Sequence, residues 1–179
     1  VRKQANIMSK KYEIMCTNPP YMGNRSMENK LKKFLEKKFN SSKLDLFSVF
    51  MDLRKIYLKN NGFLGMINQH SWMFLSAFEK LRESIIQNTI IYNMLHLGTR
   101  AFEEISGEIV QSTLFVIRDV PQLNYNSKYI DLVNYKSSSL KEKALLNFLN
   151  NNDTNYQYVF KQQMFYKLPG KPLAYWITN

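Results

Sequence analysis

The sequence predicts an α/β protein with a mostly parallel sheet. Segments of strand length that are rich in apolar and β-branched residues alternate with segments whose apolar residues recur every three or four positions. The resulting order, strand, helix, strand, helix, strand, is the one that right-handed crossovers produce in a parallel sheet. Residues 98–109 join the last two strands of this series and show no helical period. We therefore expect those two strands to form an antiparallel hairpin at the edge of the sheet.

The first two predicted elements are a strand over residues 12–17 and an amphipathic helix over residues 26–38. The helix places apolar residues such as Leu31 and Leu35 on one face and the lysines between Lys30 and Lys38 on the others. We expect the lysine-rich face to lie in solvent, although the same lysines are also suited to contacting phosphates.

The next elements are two helices with a strand between them. Asp45 is a suitable N-cap for the first of these helices, which we expect to continue until the Asn60-Asn61-Gly62 sequence ends it. A strand over residues 63–68 follows directly. Ser71 is the candidate N-cap of the next helix, in which the apolar residues from Leu75 to Ile85 recur with helical spacing.

Two more strands are predicted over residues 89–97 and 110–118, and the second is rich in β-branched residues. Beyond residue 118 the pattern weakens. It predicts a strand over residues 128–135, a short helix over residues 139–149 and an Asn-rich loop over residues 150–155.

Composition restricts the function classes. With 179 residues, 45% of them hydrophobic, the chain fits one domain with a buried core. A single cysteine excludes an internal disulfide, and no apolar run is long enough to span a bilayer, so we expect no membrane contact and a cytoplasmic location. The formal charge of +11 favours a polyanionic partner. The N-terminus, Val1-Arg2-Lys3-Gln4, has neither an initiator methionine nor an apolar signal core, so we expect it to lie inside a longer protein.

The most informative motif is Asn18-Pro19-Pro20-Tyr21, which follows the apolar run Ile14-Met15-Cys16-Thr17 directly. Two successive prolines lack N–H groups and fix φ, so the chain must leave the sheet here in a rigid turn. Ligands of open α/β sheets bind at such strand ends. The turn offers an amide side chain, prolyl carbonyl oxygens and an aromatic face. These groups suit a planar amine that donates its hydrogens and stacks its ring.

This turn resembles the catalytic motif of S-adenosylmethionine-dependent amino methyltransferases, above all the adenine-N6 DNA methyltransferases, whose motif has the general form Asp/Asn-Pro-Pro-Tyr/Phe. Further stretches resemble the large methyltransferases of restriction-modification and phage-defence (BREX, PglX-type) systems. The stretches that carry this likeness are residues 43–47, 62–67, 71–74, 78–82, 96–102 and 107–110, with a weaker likeness over residues 168–176.

The resemblance implies a fold and a set of site residues. The fold would be the second half of a Rossmann-like methyltransferase sheet, with residues 1–118 as the C-terminal half of the catalytic domain. Residues 119–179 would connect it to a target recognition region. By position in the motif, the catalytic residues would be Asn18, Pro19, Pro20 and Tyr21. The substrate adenine would bind Tyr21 and, as a second wall of its pocket, Phe102.

The resemblance also implies S-adenosylmethionine as cofactor, double-stranded DNA as substrate, and other subunits of a restriction or defence system as further partners. In the family the cofactor binds a Gly-rich turn upstream of the catalytic motif, where the backbone must approach the ligand closely. Residues 1–17 contain no glycine. We therefore expect a fragment that carries the catalytic turn without the main cofactor site and is inactive alone, and we assign no cofactor-binding residues.

Five other residues invite a functional interpretation. Cys16 lies inside the first strand, where we expect it to be buried rather than a nucleophile. His70 and His96 have no partner at metal-ligand spacing, so we assign no metal site and expect both to pack or to form hydrogen bonds. We expect Trp72 and Trp176 to lie in the core or at an interface rather than to read bases.

Two alternatives to the adenine-N6 methyltransferase remain open on the sequence alone. One is a noncatalytic nucleic-acid-binding module that keeps the fold, and the other is a protein-glutamine methyltransferase, since that class shares the motif. The long basic insertion between Tyr21 and Asp45 disfavours the protein-glutamine enzyme.

Overall fold

A computed structural model of the chain describes residues 2–102, 110–151 and 156–177. The described helices are α1 (Arg2–Met8), α2 (Asn29–Lys38), α3 (Leu46–Asp52), α4 (Arg54–Tyr57), α5 (Glu79–Asn88) and α6 (Ser138–Asn151). The described strands are β1 (Tyr12–Thr17), β2 (Leu58–Gln69), β3 (Ile90–Gly98), β4 (Ser112–Arg118), β5 (Asn126–Asp131) and β6 (Gln157–Lys161).

The strands form one six-stranded sheet in the order β1-β2-β4-β3-β5-β6. β1 is parallel to β2 and β3 is parallel to β5, whereas β4 is antiparallel to both β2 and β3, and β6 is antiparallel to β5. Consequently β1, β2, β3 and β5 point the same way, and their carboxyl ends meet at one edge of the sheet. The α/β class and the antiparallel pairing of β3 with β4 are confirmed, and the sheet is mixed, with four of its six strands running in one direction.

The hairpin of β3 and β4 does not form the edge of the sheet, which corrects the prediction. β4 inserts between β2 and β3, and β5 and then β6 cover the remaining side of β3. The pairing of β5 with β3 is long-range, and local periodicity carries no information about such pairings. The division of the chain after residue 118 stays a prediction, although strands beyond that residue extend this same sheet.

Buried polar side chains join the C-terminal third of the chain to the sheet and its helices. The amide oxygen of Gln162 accepts a hydrogen bond from Ile91 N at 2.9 Å, and its nitrogen donates to the carbonyl of Thr89 at 2.6 Å. The buried Arg82 of α5 donates to the carbonyl of Gly170 at 2.6 Å. Because an unpaired buried polar group is costly, these contacts fix the C-terminal segment against the core.

The main core lies on one face of the sheet, where α3 and α5 pack. Its fully buried members include Phe47, Leu64, Trp72 and Phe115. On the opposite face, α6 packs against β3 and β5. β1 is different, because its residue Ile14 is 68% exposed on the face opposite the core. None of the helices in the described ranges combines the length and apolar character needed to span a bilayer.

The helix that Asp45 caps is shorter than predicted. Asp45 accepts a hydrogen bond from Phe47 N at 3.3 Å, as expected for an N-cap, but the helical turns end at Tyr57 and β2 begins with the next residue. The Asn60-Asn61-Gly62 sequence lies inside β2, where Asn61 has a φ of 65° and the register with β1 shifts. These residues therefore form an irregularity in a strand instead of a helix end.

Ser71 does not begin an α-helix, which is a second correction. The chain forms short 3-10 turns over His70–Met73 and Ser76–Phe78, and α5 begins at Glu79. Trp72 and Met73 are fully buried directly after β2, so the chain turns into the core before a regular helix can start.

The remaining predicted elements are confirmed, the first strand with its predicted ends and the others with shifted ends. The observed ranges are residues 12–17, 29–38, 90–98, 112–118, 126–131 and 138–151. The Asn-rich loop lies largely outside the described residues, and β6 was not predicted from the sequence.

Candidate active site

The site lies at the edge of the sheet where the carboxyl ends of the parallel strands meet. Asn18 follows the last residue of β1, and His70 follows the last residue of β2. β4 starts at the same edge, because its first residue, Ser112, pairs with Gln69 at the end of β2 and with Gly98 at the end of β3. Ser112 therefore marks the centre of this edge.

The Asn18-Pro19-Pro20-Tyr21 turn leaves β1 as predicted, and all its peptide bonds are trans. Pro19 is buried and anchors the turn, whereas Asn18 and Pro20 are exposed. Within the described residues the Asn18 side chain makes no hydrogen bond. Its amide oxygen is therefore available to accept a hydrogen bond from a ligand.

Asp45 holds the chain that follows this turn. Its carboxylate accepts hydrogen bonds from Met22 N at 3.0 Å and from Phe47 N at 3.3 Å. The backbones of Gly23 and Asp45 also pair as an antiparallel bridge, in which Leu46 N donates to the carbonyl of Met22 at 3.0 Å. The Asp45 side chain thus caps α3 and also binds the backbone of Met22, the residue directly after Tyr21. Burial raises the pKa of the Asp45 carboxyl, and the hydrogen bonds from the backbone oppose that rise.

Tyr21 is partly embedded by this arrangement. Its ring packs edge-on against Phe47, with 6.1 Å between ring centroids and an angle of 83° between planes, while 38% of the residue remains exposed. Burial raises the pKa of the Tyr21 hydroxyl, a hydrogen bond with the Ser112 side chain opposes that rise, and the Asp45 charge adds to it. The ring is thus held against Phe47 and still presents surface to solvent.

Phe102, the predicted second wall of the pocket, lies four residues beyond the end of β3 and is 39% exposed. It follows the strand that pairs with Ser112, so the topology brings it to the same edge as Tyr21. Its role as a pocket wall stays a prediction. Gly107, Glu108 and Ile109 of the same resembling region lie outside the described residues.

Cys16 is exposed, contrary to the prediction. β1 is the outermost strand of the described sheet, and Cys16 points away from the core, opposite Gly65, which has no side chain to cover it. Trp72 is fully buried in the core, as expected. Trp176 is 42% exposed and contacts other aromatic rings, so it is not a core residue.

His70 and His96 form hydrogen bonds, as expected, and they form one with each other. His70 Nδ1 lies 3.0 Å from His96 Nε2. Among the described residues no group of His, Cys, Asp and Glu side chains has the arrangement of a metal site.

Sequence reasoning missed two residues of this site, Asp45 as the clamp of the turn and Ser112 as the partner of Tyr21. Asp45 had been assigned only as a helix cap. Its second contact spans 23 positions of the chain, which no local pattern reveals. The one available signal was that Asp45 lies in the stretch 43–47, one of those that carry the family likeness. No local pattern in the sequence indicates a role for Ser112.

The site is thus a rigid turn at the carboxyl edge of an α/β sheet, with an exposed amide beside a partly exposed aromatic ring. The model of the family described as Eco57I restriction-modification methylase matches residues 2–102. The chain belongs to this family. This membership implies use of S-adenosylmethionine as cofactor.

Two curated proteins agree with the assignment. The chain is 48% identical over 172 residues to the adenine-specific methyltransferase PglX of Lacticaseibacillus casei (strain Zhang). This match covers 96% of the chain and 14% of PglX. It is 42% identical over 176 residues to the adenine-specific methyltransferase BrxX of Escherichia coli O9:H4 (strain HS), covering 98% of the chain and 14% of BrxX. The chain therefore spans about one seventh of the length of these relatives.

Among solved structures, the ATP-dependent Type ISP restriction-modification enzyme LlaBIII bound to DNA shares the fold. The TM-score is 0.59 at 19% identity, and the match covers 89% of the chain and 12% of LlaBIII.

Proposed function

We propose that this chain carries the catalytic turn of an enzyme that transfers a methyl group to the N6 amino group of adenine in DNA, in a bacterial restriction-modification or phage-defence system. The observation that carries the proposal is the exposed Asn18 at the start of a turn that Asp45 clamps beside Tyr21. The family and the names of the two curated relatives support the choice of adenine.

The chemistry of the turn is positioning. Adenine N6 is a poor nucleophile because its lone pair is delocalised into the ring. The side-chain oxygen of Asn18 and the carbonyl oxygen of Pro19 accept its two hydrogens, which favours a tetrahedral nitrogen with its lone pair directed out of the ring plane. No base need deprotonate the amine beforehand, because the proton can leave after methyl transfer.

Tyr21 is the stacking platform for the base. The N6 edge cannot reach such a pocket while adenine is paired, so the base must leave the duplex. Stacking on an aromatic ring contributes about 1–3 kcal/mol, which offsets much of the cost of unstacking. The contact of the ring with Phe47 holds the platform in place before the base arrives. Phe102 is the proposed second wall.

The residues of this chain suit the part of the active site that binds the amine, and not the part that binds the cofactor. The methyl donor would supply an electrophilic methyl group next to Asn18. A cradle for it requires glycine where the backbone approaches closely, and residues 1–17 contain none. We propose that the cradle is formed by residues outside this sequence and that these 179 residues alone do not bind S-adenosylmethionine at micromolar concentration. Calorimetry on the chain tests this, and micromolar binding would contradict it.

Double-stranded DNA is the proposed partner, with further subunits of the defence system. The net charge of +11 suits a phosphate backbone, and Lys30, Lys33, Lys37 and Lys38 of α2 are exposed and available to it. The proposed boundary after residue 118 would separate the catalytic half-domain from a segment leading to the target recognition region.

The test is a methyl-transfer assay with the full-length protein. The substrates are duplex DNA, the same duplex with every adenine replaced by N6-methyladenine, and a glutamine-containing peptide. We expect radiolabel from S-adenosylmethionine only in the first, recovered as N6-methyl-2′-deoxyadenosine after digestion. Label in the peptide alone would indicate a protein-glutamine methyltransferase. Binding of duplex DNA without any label would indicate a noncatalytic module.

A further inference from the structure

A chain of four hydrogen-bonded side chains lies at the same edge of the sheet and has no part in the proposed chemistry. Tyr175 donates its hydroxyl hydrogen to Asp131 Oδ2 at 3.0 Å, and the same hydroxyl oxygen lies 3.0 Å from His96 Nδ1. His96 Nε2 lies 3.0 Å from His70 Nδ1. Asp131, His96 and His70 belong to β5, β3 and the turn after β2, so the chain crosses three elements.

The carboxylate at one end fixes the direction of every hydrogen bond in this chain. Because Tyr175 gives its single hydrogen to Asp131, its oxygen can only accept from His96, so His96 carries its hydrogen on Nδ1. His96 Nε2 is then an acceptor, and His70 must donate from Nδ1. A neutral His70 therefore has a bare lone pair on Nε2.

Both rings are neutral near pH 7. Burial lowers the pKa of His96 to about 4, and the neighbouring His70 contributes to that shift. Burial also lowers the pKa of His70. Within the described residues His70 Nε2 makes no hydrogen bond, and His70 is only half-buried. The four-residue chain thus ends in an available acceptor.

Phe74 packs beside the ring of His70 and Trp176 packs against Phe74, and we call these two rings the aromatic shelf (Phe74 and Trp176). The ring of Phe74 contacts His70 edge-on at 5.5 Å and contacts Trp176 at 5.6 Å. Trp176 is 42% exposed, and Phe74 is half-buried. Tyr175, which precedes Trp176, is buried and stacks on Tyr129 at 4.6 Å, so the shelf is attached to a rigid base.

The shelf is a neighbour of the catalytic turn. His70 N donates to the carbonyl of Gln111 at 2.9 Å, and the side chain of the next residue, Ser112, lies near the Tyr21 hydroxyl. Only the start of β4 therefore separates the two clusters at the sheet edge.

We propose that His70 Nε2 and the aromatic shelf form a second nucleobase subsite, which binds an unstacked base of the DNA other than the adenine that is methylated. The base stacks on the exposed face of Trp176 and donates an N–H to His70 Nε2, because aromatic faces bind any base and every unpaired base offers a donor on its edge. The inference rests on the proposed function, since the ligand is the same DNA.

The test measures affinity of the full-length protein for its tightest-binding duplex, selected from a random library, by fluorescence anisotropy at fixed salt. We expect Trp176→Ala and His70→Leu each to weaken binding about 5- to 100-fold, the range that loss of one stacked base gives. Trp176→Phe should restore most of the affinity. Tyr92→Ala is the matched control, because Tyr92 is 46% exposed in a ring pair with Tyr125, near the start of β3 and away from this edge.

The subsite is identified by replacing each base of that duplex in turn with an abasic site. In the wild type one position other than the methylated adenine should weaken binding, and in Trp176→Ala the same position should have no effect. Affinity of Trp176→Ala equal to that of the wild type, or the absence of any such coupled position, would overturn the proposal. Loss of thermal stability in Trp176→Ala at unchanged affinity would show that protein covers the shelf, and would also overturn it. Absence of methyl transfer by the wild type would refute the proposed function and leave this measurement intact.

Discussion

The two polar clusters at the carboxyl edge of the sheet are built in opposite ways. In the turn after β1 the backbone is held, by the bonds from Met22 and Phe47 to Asp45, while the Asn18 side chain stays free. In the cluster after β2 and β3 the side chains hold one another, and a single histidine nitrogen remains available. In the proposed reaction the amine nitrogen becomes tetrahedral, so its hydrogen-bond acceptor has to follow that change. A free amide side chain on a fixed backbone can do so. A cluster of side chains that hold one another instead suits recognition of a ligand that does not react.

The largest expected effect in this comparison comes from the free side chain of the first cluster. Asn18→Ala removes one preorganised acceptor from the transition state and should lower the turnover number of the full-length enzyme about 10²-fold or more. Cofactor affinity should change little. Asn40→Ala is the control, because Asn40 is also exposed but lies outside the turn. Equal rates of methyl transfer in Asn18→Ala and the wild type would remove Asn18 from the mechanism.

The next effect tests whether the backbone clamp matters as much as the free side chain. Asp45→Ala removes the acceptor of two backbone N–H groups and should displace Tyr21, with a loss of about 10- to 100-fold in kcat/KM, since a shift of about 1 Å can cost 10²-fold. Asp45→Asn keeps one acceptor oxygen and should recover part of the activity. Glu36 lies on the exposed face of α2 and serves as the control. An effect of the same size from Glu36→Ala would show that the activity responds to the loss of a negative charge and not to the loss of the clamp.

The distinction between the clusters also explains what the sequence could predict. The catalytic turn follows from consecutive residues, because two prolines after an apolar strand determine the backbone locally. The antiparallel pairing of β3 with β4 followed in the same way from the connection between them. Cys16 was predicted to be buried because apolar strands usually are, but burial depends on which neighbour covers β1, and that neighbour is not encoded in residues 12–17.

The second cluster could not be predicted, since its members come from distant parts of the chain. His70 and His96 are 26 positions apart, and Tyr175 lies 79 positions beyond His96. The position of β5 beside β3 brings Asp131 to Tyr175, and that strand order was itself outside what periodicity reveals. The Asn60-Asn61-Gly62 sequence gave a wrong helix end for a related reason, because Asn61 adopts a left-handed conformation inside a strand that pairs with β1.

A smaller effect is expected from the stacking platform of the first cluster. Tyr21→Ala should weaken binding of an extruded adenine by about 1–3 kcal/mol, whereas Tyr21→Phe keeps the ring and should retain most activity. The hydroxyl contributes only the contact with Ser112, which positions the ring. Fluorescence of 2-aminopurine at the target position reports extrusion of the base. Extrusion by Tyr21→Ala as efficient as that of the wild type would exclude Tyr21 as the platform.

The last expected effect is on stability instead of activity, and it concerns the second cluster and its dependence on pH. His96 is buried and neutral, with its pKa lowered to about 4 from an ordinary value of 6.5, so the unfolded chain binds a proton that the folded chain does not bind between these values. The stabilisation is complete above pH 6.5 and decreases as the pH falls towards 4, by about 1.4 kcal/mol for each pH unit. His96→Gln forms hydrogen bonds but cannot titrate, so its stability should decline less over this interval than that of the wild type. Urea unfolding of both proteins between pH 7 and pH 4.5 measures the difference. Parallel curves would mean that folding does not shift the pKa of His96, which would contradict the buried, neutral ring from which the free Nε2 of His70 is inferred.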